Sequence, residues 1–158
     1  MNRKIESILR FVNLTASGLL AGSLGFGTKA LVPGWKNELP REKMRAADLA
    51  RADFFNAIGP LALGTAVTLA VGARGETRWR RVLDAASAVG LAGVLVATTM
   101  VTVPINKELD AQPASDYASD RSLSLTRNWA RAHAVRTTLG VGAFFCAVVS
   151  NLANHRRV

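Results

Sequence analysis

Residues 85–106 read AASAVGLAGVLVATTMVTVPIN, 22 consecutive positions without a charged side chain. At ~1.5 Å of rise per residue, a helix of that length reaches across the ~30 Å hydrocarbon core of a bilayer. A helix in a water-soluble bundle carries polar and charged side chains along its outer face; here that face is missing. Three further stretches read the same way. Phe11–Thr28 (FVNLTASGLLAGSLGFGT), Phe54–Ala73 and Thr137–Asn154 run for 18, 20 and 18 residues without a charge. The sequence therefore predicts an all-α fold, an integral membrane four-helix bundle forming one domain over residues 1–158. The spans are expected at about 9–31, 54–73, 83–105 and 134–154. Gly18, Gly22, Gly25, Gly90, Gly93, Gly140 and Gly142 fall on these stretches, where small residues let helices approach closely in lipid. Mean hydropathy is only +0.19, because charged loops dilute spans built on Ala and Gly more than Leu.

The chain carries 20 Lys+Arg against 11 Asp+Glu, a net charge of +9. Such a balance first suggests nucleic acid, but its distribution argues for topology instead. The N-terminus (Arg3, Lys4, Arg10 against Glu6), the short loop RGETRWRR and the tail His155-Arg156-Arg157 carry net charges of +2, +3 and +2. All three lie on one side of the predicted bundle, and the two longer loops opposite are balanced. The positive-inside rule then places both termini in the cytoplasm, in a multi-pass protein of the cytoplasmic (inner) membrane. No nucleic-acid partner is expected, and a homo-oligomer is open. One Cys permits no internal disulfide and no Cys-x-x-Cys redox pair. The first apolar run is too long for a cleaved signal peptide and lacks a small-x-small exit.

In the longer loops, Pro33-Gly34 reads as a break in the first helix and Trp35 as an interfacial anchor. Pro40 reads as the start of a helix running through EKMRAADLARADFFNAI into the second span, with a kink at Pro60. The second long loop is expected over Lys107–Arg127, with a helix restarting around Ser122–Thr126 where Ser122 and Ser124 serve as caps.

Polar groups beside hydrocarbon are costly and raise a functional question. Trp129, His133 and Arg136 stand at i, i+4 and i+7, on one helix face. Asn106, Lys107, Glu108 and Asp110 leave the third span at the same end, and Lys29 ends the first span there. An imidazole, a guanidinium, ammonium groups and an amide thus gather at one mouth of the bundle. Each also has a plain structural reading. Trp129 suits an interfacial belt, His133 a water-facing position, Arg136 snorkelling to headgroups, Pro104-Ile105-Asn106 a helix terminator and Lys29 an anchor. Asp84 is expected to pair with Arg80 or Arg81, Asn56 to bond a neighbouring helix, and Cys146 to act as a small hydrophobe.

Pro104-Ile105-Asn106-Lys107 at the end of span three and Trp129-x3-His133-x2-Arg136 opening span four together resemble the anthrone-oxygenase-like family of small four-helix membrane proteins. The resemblance implies a small-molecule oxidoreductase of secondary metabolism, after named members that act in polyketide biosynthesis and oxidise an anthrone to an anthraquinone without a bound cofactor. Triplet oxygen reacts poorly with closed-shell carbon but accepts an electron from an enolate, so such a site needs a base and oxyanion donors. On that reading His133, Arg136 and Asn106 are catalytic, with His133 the base, and Trp129, Lys107 and Lys29 bind substrate. No cofactor is implied and no metal site is expected. His133 and His155 are 22 residues apart on one helix, about 33 Å; a carboxylate site joining His133 to Glu108, Asp110 or Asp116 stays open. The same parts serve a condensation or coupling step. A non-enzymatic transporter or partner subunit, or a glutathione-type membrane transferase, shares the size and span count.

Overall fold

A computed structural model describes residues 1–36, 41–72, 77–113 and 119–155, with the side chains of 1–29, 52–72, 77–113 and 119–153. Pro40, Asp116 and the side chains of Trp35 and His155 lie outside the described residues. The described chain is entirely helical apart from short connections. It forms α1 (Arg3–Lys36), α2 (Arg41–Gly72), α3 (Arg78–Ala97), a π-helical turn (Thr98–Thr102), α4 (Val103–Ala111) and α5 (Asp120–His155). Four runs are long and apolar enough to cross a bilayer: Arg3–Lys29, Ala52–Gly72, Arg78–Ala111 and Asp120–Ala153.

The helices overrun the polar sequence at their ends. α1 does not break at Pro33-Gly34 but continues to Lys36; a proline near a helix end removes one N–H from the ladder, and the last turn survives. Pro60 likewise lies inside α2 without ending it. The third span does not terminate at Pro104-Ile105-Asn106 either. Pro104 has no N–H for the Met100 carbonyl and its ring crowds that oxygen. The helix widens just before it, so that the Val103 N–H bonds Thr98 O five residues back, and then continues to Ala111. α5 starts at Asp120, with the Ser119 hydroxyl accepting the Ser122 N–H at 3.3 Å. Ser119, not Ser122 or Ser124, is the cap. The loop expected over 107–127 is thus mostly helix, and Arg121 pairs with Glu108 across what remains.

Around the bundle, α1 packs on α2 and α5, and α3 packs on α2 and α5. Two close approaches between helices are made at glycines. A Cβ on Gly140 of α5 would lie 2.7 Å from Leu24 Cδ1 of α1, and one on Gly90 of α3 would lie 3.0 Å from Ala143 Cβ and 3.1 Å from Leu139 O of α5. The outer surface is apolar, with Ile8, Phe11, Phe26, Val71, Val89, Met100 and Phe145 exposed. Buried polar residues include Arg10, Asn13, Ser17, Arg80, Asp84, His133, Arg136 and Ser150. Water-soluble proteins have the reverse distribution; this one suits a multi-pass protein in lipid, where backbone and side-chain polar groups must be satisfied internally.

Buried polar groups form two clusters with an apolar layer between them. At the end holding the N-terminus, Arg10 of α1 reaches both carboxylate oxygens of Asp84 on α3 (3.3 and 3.2 Å) and Ser150 of α5 (3.3 Å). Ser150 donates to Asp84 Oδ1, and Glu6 accepts from Arg10 (2.9 Å) and Arg80 (3.1 Å). Asp84 is therefore held by Arg10, from another helix, where Arg80 or Arg81 one turn earlier was expected. Asn13 ties α1 to α2 through Ala62 O and Thr65 Oγ1, both at 3.1 Å. Above these groups lie Leu20, Leu24, Leu91, Val94 and Ala143 of the core, and beyond them the cluster around His133.

Removing one partner of a buried ion pair strands the other. Asp84→Asn should lower stability by about 3–5 kcal/mol in detergent unfolding. The double variant Arg10→Met/Asp84→Leu should be less destabilised than Asp84→Asn alone. A double variant at least as damaged as the single one contradicts this account.

Candidate active site

α5 carries Trp129, His133 and Arg136 on its inward face, with 1%, 0% and 3% of their surface exposed. Those values exclude an interfacial belt residue, a water-facing imidazole and a snorkelling arginine. The indole and imidazole rings stack with centroids 4.9 Å apart and planes 9° from parallel, so one face of Trp129 is spent on His133.

Donor and acceptor chemistry sets the state of the imidazole. His133 Nε2 lies 3.2 Å from the carbonyl oxygen of Leu24 on α1. A carbonyl only accepts, so Nε2 carries the proton. Nδ1 lies 2.9 Å from Arg136 Nη2; a guanidinium only donates, so Nδ1 presents its lone pair. The ring is the neutral Nε2–H tautomer, assigned from its partners. Arg136 also donates through Nη1 to Thr98 Oγ1 at 3.2 Å. Thr98 passes its own proton to Val94 O at 2.7 Å, which leaves its oxygen to accept from the arginine. Beside this chain, Thr28 and Thr137 pair their hydroxyls at 3.2 Å, again joining α1 to α5.

A cavity of about 150 Å³ opens against these groups. Arg136, Trp129, Thr98 and Thr102 line it from α5 and the π-helical turn, Asn106 and Val103 from α4, and Ala52, Phe55 and Asn56 from α2. Asn106 Oδ1 is buried and makes no hydrogen bond among the described residues. Of the sequence-derived candidates, Arg136, Trp129 and Asn106 share this cavity, and His133 sits directly behind Arg136. Lys29 and Lys107 are exposed and are not part of its lining. Asn56, expected between helices, is exposed at the cavity wall. Cys146 is a free thiol, half-buried in α5. Thr98, Thr102 and Phe55 were not legible as site residues; the one local signal was Pro104, whose missing N–H calls for a distorted turn before it. Among the described residues, no group of three or more His, Cys, Asp or Glu gathers as metal ligands, and Glu108 is engaged with Arg121.

The fold and this buried His–Arg arrangement define a small four-helix integral membrane protein of enzyme-like character. A family model described as anthrone oxygenase matches residues 49–146, more than half of the chain, including every cavity-lining residue named above. The chain belongs to the anthrone oxygenase family. Comparison with curated proteins and with solved structures returns no match.

The tautomer is directly measurable. Nitrogen NMR of protein labelled at its two histidines should show one ring protonated at Nε2 at neutral pH. Arg136→Met should move its Nδ1 resonance and leave Nε2 bonded; a ring averaging over both tautomers in the wild type contradicts the assignment.

Proposed function

We propose that the protein is a membrane-embedded enzyme that oxygenates an anthrone-like or other acidic C–H substrate without a cofactor, with His133 as base and Arg136 as oxyanion donor. The observation that carries this reading is the bond from Arg136 Nη2 to His133 Nδ1. At rest the guanidinium occupies the only lone pair of the imidazole. A substrate carbonyl arriving in the cavity competes for the same donor. As Arg136 turns to the developing oxyanion, Nδ1 is uncovered to take the C–H proton, so oxyanion binding and base release become one event. The enolate passes one electron to O2, and the radical pair closes to a carbon-bound peroxide anion. Transfer of the proton back from His133 gives the hydroperoxide, and loss of water converts the original CH2 to a ketone. One O2 is consumed, one oxygen atom is retained and one leaves as water.

The Asn106 amide gives a second polar contact for the substrate. The apolar layer between the two polar clusters favours a closed reaction site over a conducting path, which supports an enzyme over a transporter. Family membership supports the substrate class.

Oxygen uptake by detergent-purified protein with anthrone tests the assignment. His133→Ala and Arg136→Ala should each lower turnover by ~100-fold or more, the range for loss of a general base or an oxyanion donor. Their unfolding transitions should remain cooperative. Persisting turnover in folded His133→Ala overturns the base, and stoichiometric iron, copper or manganese in active protein overturns cofactor independence. For topology, we place both termini in the cytoplasm on the charge distribution. Gln112→Cys should then react with an impermeant reagent from outside the cell and Thr77→Cys should not; the reverse pattern inverts the orientation.

A further inference from the structure

The cavity beside Arg136 opens on the perimeter of the bundle. Its back wall is α5, through Trp129 and Arg136, and among the described residues none of its lining comes from α1. Toward the middle of the spans, α2 and α3 close on each other: a Cβ on Gly59 would lie 3.1 Å from Leu95 Cδ2. Beyond that contact the cavity parts the helices. Ala52 and Asn56 of α2 form one edge of the opening and Val103 of α4 the other, all three exposed.

The depth of this opening follows from helix length. Arg81 is an exposed charge at the start of α3. From there ~20 residues at ~1.5 Å each, the ~30 Å of a hydrocarbon core, end near Val101. The lining runs from Thr98 to Asn106 along this span and so straddles the boundary. Exposed side chains divide accordingly, with Val96, Met100 and Val101 on the hydrocarbon side and Asp53 and Lys107 on the water side. A closed cavity of about 150 Å³ holds one benzene ring, and the volume here is about 150 Å³. A larger ligand must leave part of itself in the mouth, at the level of the acyl chains.

We propose that the substrate enters sideways from the bilayer, between α2 and α4, and is an amphipathic aromatic molecule whose apolar remainder stays in lipid while its reacting part lies beside Arg136. The inference rests on the reading of the cavity as the substrate site and adds the phase that delivers the substrate. Apolar surface left in lipid is never returned to water during binding, so this route avoids a hydration cost.

Two derivatives of anthrone separate the routes. One carries a hexadecyl ether on an outer ring and is confined to the bilayer; the other carries a sulfonate there and is confined to water, supplied on both sides of the membrane. Of the three tryptophans, Trp35→Phe/Trp79→Phe leaves only Trp129, on the cavity wall. In liposomes without oxygen, the alkyl derivative should quench Trp129 fluorescence saturably and the sulfonate should not. Adding Ala52→Leu and Val103→Phe, at two exposed edge positions, should abolish the saturable quenching. Saturable binding of the sulfonate as tight as that of the alkyl derivative, binding of neither, or unchanged alkyl binding in the filled variant overturns the proposal. The two readings fail separately. Alkyl binding with no oxygen uptake once air is admitted leaves lateral entry standing and removes the oxygenase. Oxygen uptake that depends on His133 and occurs with the sulfonate alone does the opposite.

Discussion

The bond from His133 Nε2–H to the Leu24 carbonyl holds the site together. It joins α5 to α1, uses a backbone oxygen that can only accept, and so decides which imidazole nitrogen keeps its lone pair. Every later feature of the site follows from that choice. Nδ1 faces Arg136, Arg136 turns its other amino group to Thr98, and Thr98 can accept because its proton goes to Val94. Two turns further along the same face of α5, Gly140 leaves room for Leu24 and lets α1 lie close.

The π-helical turn is the second geometric requirement. A regular helix through residues 98–102 would meet the Pro104 ring at the Met100 carbonyl. Widening relieves that contact and leaves Thr98, Thr102 and Asn106 on the cavity wall. Pro104 thus acts through the backbone upstream of it. π-Turns recur at functional sites because the extra residue redirects side chains without ending the helix.

The number and character of the spans were legible because charge-free runs of this length have few other uses. The i, i+4, i+7 spacing of Trp129, His133 and Arg136 correctly placed them on one face, since helical periodicity needs no tertiary information. Which way that face turned was not in the spacing; burial came from three neighbouring helices. Lys29 and Lys107 were grouped with the site by position at one bundle end, but end-to-end proximity does not fix azimuth, and both are exposed. The pairing of Arg10 with Asp84 was not legible for a different reason. Both fell inside expected spans, where a charge requires a partner, yet Arg10 was counted as a topology charge and Asp84 was paired along its own helix. The bidentate contact across the bundle depends on the relative rotation of α1 and α3, which no local pattern encodes.

The layer formed by Leu20, Leu24, Leu91, Val94 and Ala143 separates the His133 cluster from the Arg10–Asp84 cluster. Both clusters are built of groups that carry or relay protons, and a continuous hydrogen-bonded thread between them would short-circuit the electrochemical gradient of any energised membrane. Five aliphatic side chains supply no relay atom. They form a dry septum that keeps protons from passing between the two polar clusters through the bundle.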